Sequence, residues 1–447
     1  MSAVKTERYS AYMVSDIEWI GETPSHWSIT RNKDIFYERG SLSQNGDETL
    51  LTVSHITGVT RRSEKNVNMF MAETMEGYKH CKQGDLVINT MWAWMGALGT
   101  ANEDGICSPA YGVYAPKRSV PYNPKYFDYL YRTQNAISEM TRNSKGIVSS
   151  RLRLYPKDFF QILTALPPYQ EQTAIAAYLD TKTAQIDQHI DLLSQKAMQY
   201  GKLKQSLIDD AVIRGLDKSV PMKNSGVDWI GEVPKHWRLK RLKELASIQN
   251  SNVDKKSHDD ELAIRLCNYV DVYKNDFINS TLIDNFMLAT ANESEIKRFC
   301  IKENDVLITK DSETAGDIAI PALATETLSG VLCGYHLSQI RTNSKYLLGS
   351  YLFRLFQSKS YGHRFEIFAK GITRVGLSQA AIADAMTPIP PIVEQKAIID
   401  YIDTKTAKID RIITSINSQI DKLKELRKVL IRDVATGKIK VVSKGTA

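Results

Sequence analysis

The chain has 447 residues, 43% apolar and 24% charged, with a net charge of +7. That length leaves room for several domains with real cores. The composition is that of a globular protein and excludes a disordered or fibrous one, while the mild positive balance is compatible with a polyanion partner. No apolar run approaches the ~18 residues of a membrane span, and the first residues lack a signal-peptide core. Five cysteines without a C-x-x-C pair point to a reducing, cytoplasmic setting with mostly buried thiols and no zinc site.

In chain order, the first feature is a turn-rich corner, Trp19-Ile-Gly-Glu-Thr-Pro-Ser-His-Trp27. A basic loop follows, carrying Arg61, Arg62 and Lys65. Gly84-Asp-Leu-Val-Ile-Asn-Thr90 predicts a turn feeding a short buried strand, and Trp92 and Trp94 lie just beyond it. A patterned helix is expected near 126–132. Then comes a basic, hydroxyl-rich loop with Lys145, Gly146, Ile147, Arg151 and Arg153. Pro167-Pro168 closes this part, because two prolines cannot continue a helix or a central strand.

Residues 170–214 contain no proline and one glycine, and predict a long helix. Apolar residues fall at Ile186, Ile190, Leu193, Ala197, Tyr200, Leu203 and Leu207. Steps of three and four make a coiled-coil seam with one short step.

The chain then repeats itself. Trp229-Ile-Gly-Glu-Val-Pro-Lys-His-Trp237 returns the corner and Asn304-Asp-Val-Leu-Ile-Thr309 the strand. Lys370-Gly-Ile-Thr373-Arg374 returns the basic loop and Pro390-Pro391 the boundary. A second long helix carries Ile409, Ile413, Ile416, Ile420, Leu423, Leu426 and Leu430, each 223 positions after its counterpart. A period above 200 residues is far too long for a solenoid unit. It predicts a duplicated domain-plus-helix unit, with the two helices packed on each other. The divisions are 1–165, 166–217, 218–388 and 389–447, and the fold class is α/β in a duplicated, pseudo-twofold arrangement.

The search for chemistry finds little. Leu166-Pro-Pro-Tyr169 lacks the Asn or Asp of an amino-methyltransferase motif, and no Gly-rich phosphate loop is present. Asp284, Glu295 and Lys297 have the spacing of a Mg²⁺-dependent nuclease, but the first copy has no equivalent. His26 and His236 sit beside tryptophans and read as packing residues. No catalytic residue and no metal site are assigned. The alternatives left open are that nuclease and a protein-binding coiled-coil scaffold. Lys, Arg and Ser in two related loops can hold phosphates, and Arg can read guanine edges. The candidate DNA contacts are therefore Arg61, Arg62, Lys65, Trp92, Lys145, Arg151, Arg153, Lys370, Thr373 and Arg374.

Three duplicated marks carry a family resemblance: W-I-G-E-x-P-x-H-W, the Gly-Asp or Asn-Asp turn before an apolar strand, and P-P-x-x-E-Q leading into D-T-K-T-A-x-I-D. The chain resembles the specificity subunit of type I restriction–modification systems over nearly its whole length. The resemblance implies two α+β target-recognition domains, each reading half of a bipartite DNA target. It implies an antiparallel pair of helices that sets the unread spacer. It also implies docking of two methyltransferase subunits and two motor-nuclease subunits, which bind S-adenosylmethionine, ATP and Mg²⁺; this chain would bind no cofactor and catalyse nothing. The expected docking positions are Gln170, Glu171, Gln172 and Asp180 in one copy and Glu394, Gln395 and Asp403 in the other.

Overall fold

A computed structural model describes residues 7–15, 17–65, 74–148 and 151–441. Asp16, at the start of the first corner, and Ser149 and Ser150, in the first basic loop, lie outside them. The chain forms two compact units, Met1–Leu193 with Ser418–Ala447, and Ser194–Asn417. Among the described residues, no helix is long and apolar enough to cross a membrane.

In the first unit, Tyr12–Val14 pairs antiparallel with Glu22–Pro24, and Ser28–Arg31 with Leu163–Leu166. The central sheet runs Phe36–Glu38, Tyr111–Pro116, Leu86–Asn89, Leu98–Thr100, all antiparallel. The predicted apolar strand is thus an inner strand, buried at all four positions. Helices Pro124–Tyr131 and Gln134–Arg142 follow, capped by the side chains of Asn123 and Thr133, which accept the backbone N–H of Tyr126 and Ala136. Phe36, Phe127, Tyr131 and Phe159 interlock edge-on or tilted at centroid distances of 5.7–6.3 Å. Such rings bury a large apolar area in favoured geometries.

The second unit reuses the plan. Met222–Asn224 pairs with Glu232–Pro234, and Arg238–Arg241 with Met386–Ile389. Its five-stranded sheet runs Ala246–Asn250, Leu337–Thr342, Asp305–Thr309, Pro321–Ala324, Phe277–Ile278, with only the last pair parallel. The second unit has a further sheet of Met287–Ala291, Leu262–Cys267 and Val331–Cys333, and the first unit has instead the two-stranded pairs Leu51–Ser54/Gly58–Arg61 and Lys79–Cys81/Gly105–Cys107. The copies differ here, and each builds a separate small core. Four of the five cysteines, Cys81, Cys107, Cys267 and Cys333, are buried.

The turn before each inner strand has a specific cause. Gly84 has φ +89° and Asn304 φ +67°, and Gly and Asn are the residues that tolerate this left-handed region best. The next residue, Asp85 or Asp305, is buried and accepts the backbone N–H of Lys82 or Lys302 at 2.8 Å. Arg39 holds Asp85 through two bonds of 2.6 and 2.9 Å, and Arg341 holds Asp305 through two of 2.7 Å. Paired and bonded, a buried carboxylate is tolerated.

The long helices span Tyr169–Arg214 and Ile392–Ala435, and the unit boundary falls inside both. In the first unit, Ile175 and Leu179 share a core with Val434 and Ala435, and Arg427 Nε bonds Asp187 at 2.9 Å. In the second, Ile398 and Ile402 share a core with Ile208 and Val212, and Lys204 Nζ bonds Asp410 at 2.8 Å. Each pair of segments therefore runs antiparallel. Asp187 and Asp410, like Lys204 and Arg427, are 223 positions apart, so one register serves both units. Ile409, Ile416 and Ile420 are buried, and Ile186, Ile190, Leu193, Ala197 and Ile413 half-buried. Leu203 and Leu426 correct the predicted seam: they are 47% and 53% exposed. Each closes two successive three-residue steps. Two steps of ~300° carry a residue about 120° off the stripe.

Each helix ends on the other copy's corner. Gly215 (φ +72°) lies against Trp237 and Pro234, and Gly437 (φ +78°) against Trp27 and Pro24. Tyr351 and Tyr126 hydroxyls cap the carbonyls of Val212 and Ala435 at 2.9 and 3.0 Å. In the second unit, residues 216–221 connect helix end to corner strand. In the first unit the segments around Glu7 and Lys440 meet instead: Lys440 N–H donates to the Glu7 carbonyl at 2.9 Å, and Tyr9, Ile439 and Val441 pack on the same core.

Candidate nucleic-acid interface

The duplicated corner is a structural lock. Trp27 Nε1 donates to Glu171 at 3.0 Å, the Tyr9 hydroxyl donates to it at 3.0 Å, and His26 Nε2 lies 2.6 Å away. Glu394 takes Trp237 Nε1 at 3.0 Å and His236 at 2.9 Å. Both glutamates stand in the first helical turn, where the helix dipole favours a negative charge. Burial and the neighbouring Glu171 push the Tyr9 hydroxyl well above its ordinary pKa.

This geometry corrects part of the docking expectation. Gln172 and Gln395 are fully buried. Gln172 Nε2 donates to the carbonyls of Pro167 and Pro121 at 2.9 and 3.1 Å, and its oxygen accepts Asn123 N–H at 2.9 Å. Gln395 does the same with Pro390, Tyr346 and Leu348 at 2.9, 2.8 and 2.9 Å. Each amide satisfies backbone groups around a Pro-Pro pair, where no ladder partner is at hand. Glu171 and Glu394 are held by the corner. Gln170 is exposed. Asp180 accepts Lys125 Nζ at 2.5 Å and Tyr129 at 2.9 Å, and Asp403 accepts Arg354 at 2.6 Å.

The nuclease alternative does not assemble. Glu295 belongs to the capping box of helix Glu293–Phe299 and accepts Asn252 Nδ2 at 2.5 Å. Asp284 is exposed beside Arg265, 3.5 Å away. Among the described residues, no group of three His, Cys, Asp or Glu side chains is placed to hold a metal.

The basic candidates divide by copy and by loop. Arg61 forms a bidentate pair with Glu103 at 2.7 and 2.6 Å, and Lys65 bonds Thr57; these belong to the outer hairpin. Trp92 is 50% exposed at the end of the inner strand, while Trp94 turns its Nε1 back to the Met91 carbonyl at 3.0 Å. The Lys-Gly-Ile loops are built alike. Lys145 and Arg153 exchange backbone hydrogen bonds of 2.8 and 2.9 Å, and Lys370 and Gly376 ones of 3.1 and 2.9 Å. Leu154 N–H then donates to the Thr90 carbonyl at 3.0 Å, and Leu377 N–H to that of Lys310 at 2.7 Å. Each loop is thereby tied to the residue just past the inner strand, Thr90 or Lys310, and in the first unit Thr90 precedes Trp92 by two residues.

In the second unit this junction is charged. Arg374 lies 3.1 Å from Asp311, which also bonds His336 Nδ1. Burial lowers the pKa of His336 against the opposing pull of Asp311. Lys370 and Thr373 are exposed. The sequence reading passed over the exposed apolar groups here: Ile367, Phe368 and Ile372, and Ile147 and Val148 in the first unit. The signal was present in the repeated Lys-Gly-Ile itself.

The family described as type I restriction modification DNA specificity domain matches residues 234–422. The type I restriction enzyme MjaVIII specificity subunit of Methanocaldococcus jannaschii is 20% identical over 64% of this chain and 64% of its own length. The EcoBI specificity subunit of Escherichia coli is 23% identical over 71% of this chain and 66% of its own length. A further relative from M. jannaschii is matched over 47% of its length, so the chain spans between about half and two thirds of these relatives. Among solved structures, a chain from work on complex assembly and conformational transition of the type I R-M system superposes with TM-score 0.68. It is 14% identical and covers 92% of this chain and 98% of that one. The HsdS subunit from Thermoanaerobacter tengcongensis gives TM-score 0.53, 14% identity and coverage of 93% and 98%. At these identities the superpositions show a shared fold.

Proposed function

We propose that the chain is a specificity subunit of the type I restriction–modification family, as its similarity to that family's DNA specificity domain and to two specificity subunits supports, and that it recognises a bipartite DNA target without catalysing a reaction. Each unit's globular part, residues 1–165 and 218–388, reads one half-site. The paired helices, 166–217 and 389–447, set the unread spacer and dock two methyltransferase and two restriction subunits. S-adenosylmethionine, ATP and Mg²⁺ belong to those partners, and the assembly works in the cytoplasm, where its DNA is.

One observation carries the reading. The same basic loop is tied to the same strand end in both units, on helices that keep a single antiparallel register. A duplicated reader on a fixed spacer suits a target of two separated parts. With Glu171, Gln172, Asp180, Glu394, Gln395 and Asp403 all bonded internally, exposed Gln170 is the remaining docking candidate. The test is duplex binding by the full chain across a salt titration. Phosphate neutralisation predicts log affinity falling linearly with log salt, at a slope of about −0.9 per phosphate contacted. Salt-independent or absent binding refutes DNA recognition.

A further inference from the structure

Ile147 and Ile372 occupy equivalent places in the two Lys-Gly-Ile loops, and each is 104% exposed. A single exposed isoleucine is unremarkable on a protein surface. These two differ in several respects. Turn tips favour Gly, Asn, Asp, Ser and Pro, yet both copies place a stiff β-branched side chain there. The backbone enforces the display. Gly371 has φ +144°, and a Cβ on it would collide with the Arg374 carbonyl oxygen; a Cβ on Gly146 would stand 2.8 Å from that of Arg151. The loop folds back over each glycine, and the next residue is the one turned outward.

The surroundings are cationic. Lys370 and Arg374 flank Ile372, and Lys145, Arg151 and Arg153 flank Ile147. Asp311, at 3.1 Å, holds Arg374 in place. Four residues before Ile372 in the chain, Phe368 is half exposed, with the Arg364 guanidinium 5.0 Å from its ring centroid. An apolar tip between cations suits a surface that is anionic at its edges and apolar within, which is a nucleic-acid groove. Two backbones bridged as an antiparallel pair lie ~5 Å apart before their side chains are added. With side chains on both edges such a ribbon exceeds the ~6 Å minor groove and fits the ~12 Å major groove, which admits a two-stranded ribbon and where the thymine methyl is the apolar feature.

We propose that Ile372 and Ile147 are specificity-determining tips, each entering the major groove of one half-site and packing on a thymine methyl while the flanking cations hold phosphates. The proposal rests on the DNA-recognition reading above and deepens it by naming the groove, the chemical group and the residues.

The test uses the full chain. Its target is first selected from a pool of random-sequence duplexes. Affinity is then measured for wild type, Ile372→Ala and Ile147→Ala on that duplex, with each thymine replaced in turn by deoxyuridine, which lacks only the methyl. One thymine per half-site should be sensitive, and its replacement should weaken wild type about fourfold, the effect of exposing one buried methyl. Ile372→Ala should weaken binding to the unsubstituted target about tenfold, lose sensitivity at one thymine only, and keep the salt slope. Ile147→Ala should do so in the other half. Wild type indifferent to every deoxyuridine overturns the proposal, as does an Ile372→Ala variant that stays sensitive or that weakens unrelated duplexes equally. A wild-type chain that selects no sequence and binds without salt dependence overturns DNA recognition itself.

Discussion

Glu394→Ala removes the one carboxylate that receives both Trp237 Nε1, at 3.0 Å, and His236, at 2.9 Å. Trp237 is 1% exposed, so its N–H has no water to turn to. Loss of a bond to a charged group costs about 1.5–3 kcal/mol, and a negative charge in the first helical turn adds about 0.3–1 kcal/mol. A total of about 2–4 kcal/mol lowers the melting temperature of a unit this size by about 4–16 °C. Glu394→Gln keeps an oxygen for Trp237, and a neutral acceptor retains about half of the bond. It should therefore lose about half as much. Differential scanning calorimetry reads both, and hydrogen exchange at residues 227–237 locates the loss. Glu171→Ala should act in the same way on residues 17–27. A Glu394→Ala variant melting within about 1 °C of wild type refutes the lock. A glutamine variant as damaged as the alanine one shows that charge, not the acceptor, is what matters.

Lys370→Ala should weaken binding across all sequences and flatten the salt slope by about 1, while Arg61→Ala, whose guanidinium Glu103 already holds, should change affinity less than twofold. Exchanging residues 1–165 for the matching part of a relative should alter one half of the recognised motif; a change in both halves contradicts independent readers. Adding seven residues to each long helix, after Leu193 and after Asn417, preserves the seam phase and adds about 10 Å. The unread spacer should grow by about three base pairs at ~3.4 Å each, and an active variant with an unchanged spacer removes the helices from that role. Adding two residues to one helix turns its seam by ~200° and should prevent soluble assembly on gel filtration.

Much of the plan was legible because it was written twice. The corner tryptophans, the inner strand and the Pro-Pro boundary carry strong local physics, and repetition separated them from chance. The buried roles of Gln172 and Gln395 were not legible, since a glutamine in a first helical turn reads as surface until the proline carbonyls it serves are located. Leu203 and Leu426 matched an apolar spacing that the short step had already moved off the stripe. The antiparallel sense of the long helices was available only through the family resemblance, because a three- and four-residue seam spacing reports a packed face and not its direction. The exposed isoleucines were visible as letters, but their display depends on backbone folded over Gly371, which composition does not report.

The most direct test is long-read mapping of methyladenine in the genome of the organism that carries this chain, with and without its gene. Two specific half-sites separated by unread bases of one constant length, lost on deletion, are the predicted result. A single contiguous motif, or no motif that depends on the gene, contradicts recognition by two readers on a fixed spacer.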